Sequence, residues 1–281
     1  MKTLTGLALA VTLITPTAAH AETRQDAFVY FSYDHGAKVV KWDQGWITLA
    51  GTGDMPQMSA APDGRKVAWI TNRGALKVKN GAKVTTVATK LQGGTPCLTP
   101  VWSADSKQVA YVKGETILAV KADGSGRRTL GVSKGVCHLA WAAGGRYLAG
   151  YTGEADALYK LDTTTGKAAK VPGIKWITHV QGLSPDGRVA IVQFPANAGQ
   201  LGDGSWPTAF TPVLFDTTTG KKLAIPVRGR LTGALYLGDG SLAVRTKAAK
   251  IVVVKDGKQV RTIAEPAGIR SKALLQVVSG R

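Results

Sequence analysis

His138 and His179 are the side chains in this sequence best suited to acid–base chemistry, because imidazole titrates near neutral pH. They lack the spacing of metal ligands, and the polar residues in equivalent stretches are the amides Gln57 and Gln181. A hydrolase or lyase would need paired carboxylates or a histidine with an acidic partner, and only Asp54 lies close to these stretches. We therefore expect no enzyme active site, metal site or cofactor, and a small hydrolase or lyase is the least favoured alternative.

Two short motifs imitate functional signatures. Residues 131–135, Gly-Val-Ser-Lys-Gly, match the spelling of a nucleophile elbow, but that motif works only at a sharp strand-to-helix turn, and no helical pattern follows. Residues 162–166, Asp-Thr-Thr-Thr-Gly, resemble a calcium loop only superficially, because threonine replaces the alternate acidic ligands that a cation site needs. We interpret the first as a loop and the second as a hairpin.

The elements that position these residues follow from a repeated turn, which precedes an alternating apolar strand. The clearest copy is residues 184–187, Ser-Pro-Asp-Gly, and its relatives are residues 61–64, 103–106, 142–145 and 237–240. Proline presets φ and glycine accepts a positive φ, so each copy predicts a hairpin. We call these copies the first turns. Their last residues are 42, 39, 42 and 53 positions apart, a period typical of propeller blades.

A second set of turns repeats at a similar period and indicates four strands per repeat. Its copies contain Gly45, Gly81, Gly124, Gly166, Gly220 and Gly257, which is one copy more than the first turns have. The first repeat therefore lacks an innermost strand, whereas residues 273–278 form a spare alternating segment. If this segment pairs beside residues 28–31, strands from both termini close the ring. The sequence thus predicts an all-β fold, a six-bladed β-propeller of four-stranded antiparallel blades.

Two candidate binding regions follow from this arrangement. The longest interval between first turns, 53 residues, reflects an insertion at residues 195–210. Its aromatic residues Trp206 and Phe210 either form a candidate contact loop or pack back on the fifth blade. The stretches that enter the inner strands should line one mouth of a central tunnel, and the two arginines and His179 would make that mouth positive. The candidate tunnel-mouth residues are Gln57, His138, His179, Gln181, Arg228 and Arg230.

The two cysteines of the chain, Cys97 and Cys137, lie 40 residues apart, which is one repeat. They should therefore occupy nearly equivalent places in neighbouring blades. In an oxidising compartment we predict a disulfide between them that staples two blades, with free buried thiols as the alternative. Metal binding by two isolated cysteines is much less favoured.

Residues 1–21 have the features of a secretory signal peptide. Lys2 precedes an uncharged apolar stretch that ends near Ile14, and residues 19–21, Ala-His-Ala, form the small-x-small pattern of a cleavage site. No later stretch is long and apolar enough to span a bilayer as a helix. We expect cleavage after residue 21, a single propeller domain over residues 22–281, and a secreted or periplasmic location.

The chain carries 36 Lys and Arg against 18 Asp and Glu, a formal net charge of +18. A protein this basic is attracted to polyanions, so an anionic cell-wall polymer or glycan is an alternative ligand, whereas no specific nucleic acid is indicated. The basic residues are scattered over turns rather than gathered in one run. Ten of them, which we call the turn cations, are Lys79, Lys83, Lys121, Arg127, Arg128, Lys167, Lys221, Lys222, Lys255 and Lys258.

The Ser-Pro-Asp-Gly unit at residues 184–187, together with residues 213–221, Val-Leu-Phe-Asp-Thr-Thr-Thr-Gly-Lys, resembles the WD-like TolB-type propeller repeat. Relatives of prolyl oligopeptidase carry the same repeat, and the resemblance covers nearly all of residues 26–281. We expect neither the small domain that precedes the TolB propeller nor a hydrolase domain, so peptidase activity is not implied. The resemblance implies a non-enzymatic platform that docks a protein partner in the cell envelope or outside the cell.

Overall fold

The computed structural model describes residues 26–34, 36–52, 57–94, 98–132, 135–196 and 206–279. Within these ranges the regular structure consists of strands, which form six four-stranded antiparallel sheets arranged as the blades of a ring. The chain is therefore a six-bladed β-propeller, as the turn spacing predicts. The described ranges contain no helix that is long and apolar enough to cross a membrane. The predicted signal peptide, residues 1–21, lies outside them.

The strands follow the blades in chain order. Blade 1 contains β1 (Ala27–Ser32), β2 (Ala37–Trp42) and β3 (Trp46–Thr52), and blade 2 contains β4 (Gln57–Ala60), β5 (Lys66–Ile70), β6 (Leu76–Asn80) and β7 (Lys83–Ala88). Blade 3 contains β8 (Val101–Trp102), β9 (Gln108–Lys113), β10 (Thr116–Lys121) and β11 (Arg128–Val132), and blade 4 contains β12 (Val136–Trp141), β13 (Tyr147–Thr152), β14 (Leu158–Asp162) and β15 (Lys167–Lys170). Blade 5 contains β16 (His179–Leu183), β17 (Val189–Gln193), β18 (Val213–Asp216) and β19 (Lys222–Leu223), and blade 6 contains β20 (Leu231–Tyr236), β21 (Leu242–Thr246), β22 (Lys250–Lys255) and β23 (Lys258–Ala264). The last strand, β24 (Lys272–Val278), returns to blade 1 as its innermost strand.

Pairing between β24 and β1 closes the ring. The antiparallel register runs from Ala27 opposite Val278 to Ser32 opposite Lys272. This pairing completes the fourth strand of blade 1 and removes the free edge that β1 would otherwise present. The predicted closure by strands from both ends of the chain is confirmed.

Hydrogen bonds within each turn stabilise the first turns. In blade 5 the Gly187 amide donates to the Ser184 carbonyl at 2.8 Å, and the Asp186 carboxylate accepts from the Arg188 amide at 3.0 Å. Gly187 has a φ of +67°, and a Cβ there would lie 2.6 Å from the ring of Tyr147 in blade 4. The left-handed backbone and the close approach of the next blade together require glycine.

Side chains between adjacent sheets form the core. Met58, Tyr111 and Tyr151 are among the largest fully buried side chains. The Trp102 indole also donates to the Ser59 carbonyl at 3.3 Å, which links blade 3 to blade 2. Each blade therefore buries its apolar faces against its neighbours, as single sheets of this size cannot do alone.

Antiparallel strands give the ring two different faces. The first turns and the outer turns share one of them, which we call the turn face; the outer turns are residues 43–45, 80–82, 122–127, 163–166, 217–220 and 256–257. Backbone hydrogen bonds tie the two sets together within a blade, from Thr163 to Arg146 at 2.9 Å and from Thr217 to Arg188 at 2.8 Å. The opposite face, the loop face, carries connections such as residues 171–178, 224–230 and 265–271.

Candidate binding cavity at the centre of the ring

The inner strands of all six blades surround a central cavity of about 630 Å³. Its wall includes Gln276 of blade 1, Ser59 of blade 2, Trp102 of blade 3, Trp141 of blade 4, Gln181 of blade 5 and Tyr236 of blade 6. On the turn face, its rim is formed by first-turn residues such as Asp63, Asp105 and Asp239. Ligand sites of this size and position are common in folds of this kind.

The cavity wall combines apolar side chains with several polar groups. The Trp141 indole donates to the Gly145 carbonyl at 2.8 Å, and the Gln276 amide donates to the Ala60 carbonyl at 3.3 Å. The Ser59 hydroxyl is buried in the wall and has no hydrogen-bond partner among the described residues.

The rim of the cavity carries carboxylates together with basic side chains. Asp105 lies 3.7 Å from Lys107 in an exposed pair, which contributes little to stability. Asp239 accepts from the Ser241 hydroxyl at 2.6 Å, and this hydrogen bond lowers the pKa of Asp239. Asp63, also on the rim, forms an ion pair with Lys66, and Arg65 lies on the same rim, so the mouth of the cavity carries charges of both signs.

Trp206, at the end of the insertion, forms the floor of the cavity near the loop face. Its indole nitrogen donates to the Met58 carbonyl at 2.6 Å, and its own carbonyl accepts from the Tyr33 hydroxyl at 2.8 Å. Its ring lies 5.1 Å from that of His138 and 5.7 Å from that of His179. Trp206 therefore connects blades 1, 2, 4 and 5 across the centre of the ring.

His138 and His179 lie beneath this floor and are 0% and 1% exposed. Their rings are 5.1 Å apart, and Phe210 lies 5.3 Å from His179. Nε2 of His179 is 2.6 Å from the amide oxygen of Gln181, which also reaches the cavity wall. The structure thus brings His138, His179, Gln181, Trp206 and Phe210 together, with both aromatic residues of the insertion packed inward.

The remaining tunnel-mouth candidates lie elsewhere. Arg228 and Arg230 are exposed on the loop face before β20, away from the cavity wall. Gln57 begins β4, where its backbone is opposite Ile70. The positive mouth predicted at these residues remains a hypothesis about the loop face.

The predicted disulfide involves one residue outside the described ranges. Cys137 is buried in β12, 4% exposed, within the core of blade 4. Cys97 falls in the gap between residues 94 and 98. The Cys97–Cys137 disulfide therefore stays a prediction.

Sequence reasoning missed the aromatic wall of the cavity. Trp102, Trp141 and Tyr236 stand immediately before the first turns, a position that period-2 alternation assigns to packing between blades. Burial and the nearby Asp186 carboxylate raise the pKa of Tyr236 to about 12, so its hydroxyl is neutral at physiological pH. The signal for these wall residues was the recurrence of large aromatic side chains at one repeat position.

Metal-ligating groups are not clustered in the described part of the chain, where no three His, Cys, Asp or Glu side chains converge. The calcium-like sequence at residues 162–166 is a hairpin, as interpreted above. Asp162 accepts from the Thr164 amide at 2.9 Å and from Arg146 at 2.6 Å.

The arrangement at the ring centre is suited to holding a ligand by shape, apolar contact and a few hydrogen bonds.

Comparisons with known proteins identify the fold class. No protein-family model matches the chain, and no curated protein matches it in sequence. TolB from Acinetobacter baumannii superposes with a TM-score of 0.55 at 14% identity, over 90% of this chain and 67% of that one. A chain of the nidogen–laminin complex superposes with a TM-score of 0.54 at 10% identity, over 91% of this chain and 98% of that one. The chain therefore has a TolB-like six-bladed propeller fold.

Proposed function

We propose that this protein is a non-enzymatic docking scaffold that acts outside the cytoplasm, and that its central cavity receives a short segment of a protein partner. The observation that carries the proposal is the cavity of about 630 Å³, which is walled by all six blades and closed by Trp206 near the loop face. A partner segment would enter from the turn face, because that is where the rim lies. The predicted signal peptide supports the location.

The chemistry of the cavity limits what the segment contains. Val101, Trp141 and Tyr236 line the cavity, are partly exposed and offer apolar contact to such a segment. The segment should therefore carry apolar or aromatic side chains.

Two observations support binding rather than catalysis. The His138 and His179 rings are buried under Trp206 instead of facing the open cavity. The Asp105 and Asp239 carboxylates accept hydrogen bonds within their own turns, which suits a structural role. One similar solved structure is a protein–protein complex, that of nidogen with laminin, which supports a protein partner as the ligand class.

A cavity-filling substitution tests this proposal. Val101 lines the cavity and is partly exposed, so the variant Val101→Trp should fill the cavity. The control is Val132→Trp, because Val132 is 52% exposed on the outer strand of blade 3. A protein of residues 22–281, unchanged except for a photocrosslinking residue in place of Val101, should capture a discrete envelope protein at high salt. Val101→Trp should lose that protein in a matched pull-down while Val132→Trp retains it. Equal retention by both variants would overturn the cavity as the docking site.

A further inference from the structure

The fold gathers the turn cations, which the sequence scatters over more than half of the chain, on one face of the ring. All ten flank the outer turns of blades 2 to 6: Lys79 and Lys83 border the turn of blade 2, for example, and Lys255 and Lys258 border that of blade 6. Because every outer turn lies on the turn face, these side chains form an arc around its periphery. The outer turn of blade 1 contributes none of them, so the arc spans five blades.

The cations of this arc form no ion pairs with the described residues, although Arg127 donates to the Val87 carbonyl at 3.1 Å, Arg128 donates to the Gln108 amide oxygen at 3.3 Å and Lys222 lies over the Phe194 ring. None of the ten turn cations has a carboxylate within ion-pair distance in the described part of the chain. Nine of the ten are exposed, and Lys79 is half-buried. These like charges repel one another, and an anionic partner that binds to this face reduces the repulsion.

Acidic residues of the outer turns are engaged in holding the hairpins. Asp123 accepts from the amide and hydroxyl of Ser125 at 2.8 Å and 2.7 Å. Asp216 accepts from the amides of Thr218 and Thr219, each at 2.8 Å. These carboxylates are therefore directed into the turn backbone, and the lysines beside them remain available to an external anion.

We propose that the arc of turn cations binds a linear phosphate polymer that follows the periphery of the turn face. Eight of the ten side chains are lysines, which contact phosphate as point charges rather than through the bidentate geometry that arginine gives to carboxylates. The polymer would anchor the propeller in its surroundings and leave the central cavity open. This inference is independent of the proposed docking function, because the two surfaces share no residue.

A flat anionic bilayer fits this face less well than a polymer does. A bilayer resting on the arc would also face the rim carboxylates of Asp105 and Asp239, and like charges at close range are unfavourable. It would meet no turn cation at blade 1, where Lys41 is instead paired with Asp43 at 2.6 Å. A flexible polymer can follow the cations and avoid the carboxylates.

The salt dependence of polymer binding separates a defined arc from the overall charge. The probe is end-labelled inorganic polyphosphate of one chain length, and fluorescence anisotropy gives its association constant over a series of NaCl concentrations. The arc variant is Lys83→Gln, Lys121→Gln, Lys221→Gln and Lys258→Gln. The control variant removes four exposed loop-face lysines instead: Lys90→Gln, Lys113→Gln, Lys175→Gln and Lys247→Gln. Both variants lose the same net charge.

For the arc variant, the slope of log K against log salt should fall in magnitude by about 3, because each phosphate contact releases about 0.7 counterion from a flexible polyanion. The control variant should keep the wild-type slope. Equal losses in the two variants would show that net charge alone attracts the polymer, and would overturn the proposal. So would equally tight binding of polyglutamate, or arc-dependent binding of phosphatidylglycerol vesicles without binding of polyphosphate.

Discussion

The indole nitrogen of Trp206 donates a 2.6 Å hydrogen bond to the carbonyl oxygen of Met58, a residue 148 positions earlier in the chain. Met58 lies in β4, the inner strand of blade 2, whereas Trp206 belongs to the insertion in blade 5. The bond therefore spans the centre of the ring. Trp206 therefore closes the central tunnel near the loop face. His138 and His179 lie buried beneath the Trp206 ring.

Replacing Trp206 with alanine should destabilise the protein by about 2 to 4 kcal/mol, slightly less than the roughly 3 to 5 kcal/mol for a fully buried aromatic side chain, because Trp206 is only partly buried. The variant loses the hydrogen bond to Met58 and the ring contacts with His138 and His179. Urea unfolding measures the free-energy change. Trp176→Ala is the matched control, because Trp176 is 45% exposed and should change stability by less than about 0.5 kcal/mol. Similar losses in the two variants would show that Trp206 is not a structural floor.

A buried ion pair between Arg245 and Glu265 supports the junction of blades 6 and 1. The Arg245 guanidinium donates to Glu265 at 2.9 Å and to the Thr208 carbonyl at 2.8 Å. Glu265 also accepts from the Tyr30 hydroxyl at 2.9 Å. Burial, and then the Glu265 charge, raise the pKa of Tyr30 above its usual range, so Tyr30 remains a neutral donor.

Arg245→Met should cost about 3 to 5 kcal/mol, because it leaves the Glu265 carboxylate buried without its cation. The double variant Arg245→Met with Glu265→Leu should be more stable than Arg245→Met alone, since it removes the uncompensated charge as well. Thermal unfolding of the single and double variants gives the comparison. A double variant less stable than both singles would mean that the remaining hydrogen bonds of the pair, rather than its charges, dominate its contribution.

The repeat and the closure of the ring could be predicted because their causes are local. A positive φ at Gly187 and the carboxylate of Asp186 act within one turn, so each copy leaves its own signature in the sequence. The excess of outer turns over first turns then identified the missing inner strand that β24 supplies.

The centre of the ring could not be predicted in the same way. Trp206 reaches Met58 through a segment outside the repeat, and no periodic signal links the two positions. The turn cations were visible individually, but their convergence depends on every outer turn projecting from the same face, a property of the closed ring. Arg228 and Arg230 lie on the loop face, so the positive mouth predicted there stays a prediction that the cavity on the turn side does not test.

Removing residues 270–281 should open or unfold the ring. The deletion takes away β24, which pairs with β1 from Ala27 to Ser32 and covers its edge. It also removes the Lys272 carbonyl that accepts from Arg245 at 3.1 Å. Circular dichroism melting and the hydrodynamic radius report the change, and a deletion of residues 280–281 alone is the control. A truncated protein with unchanged melting behaviour would contradict closure by the C-terminal strand.

The pair formed by Arg146 and Asp162 gives a testable pH dependence. The hydrogen bond from Arg146 lowers the pKa of Asp162 to about 2. A depressed carboxyl pKa adds stability above the unfolded-state value of about 4 and loses it as the pH falls toward 2. In Arg146→Ala the pKa of Asp162 should rise toward its ordinary value, although the Thr164 amide at 2.9 Å will keep part of the shift. Carboxyl-carbon NMR titration measures the pKa in both proteins, and Asp123, which has no arginine partner in the described structure, serves as the internal control. An unchanged Asp162 titration in Arg146→Ala would show that the turn backbone alone sets its pKa.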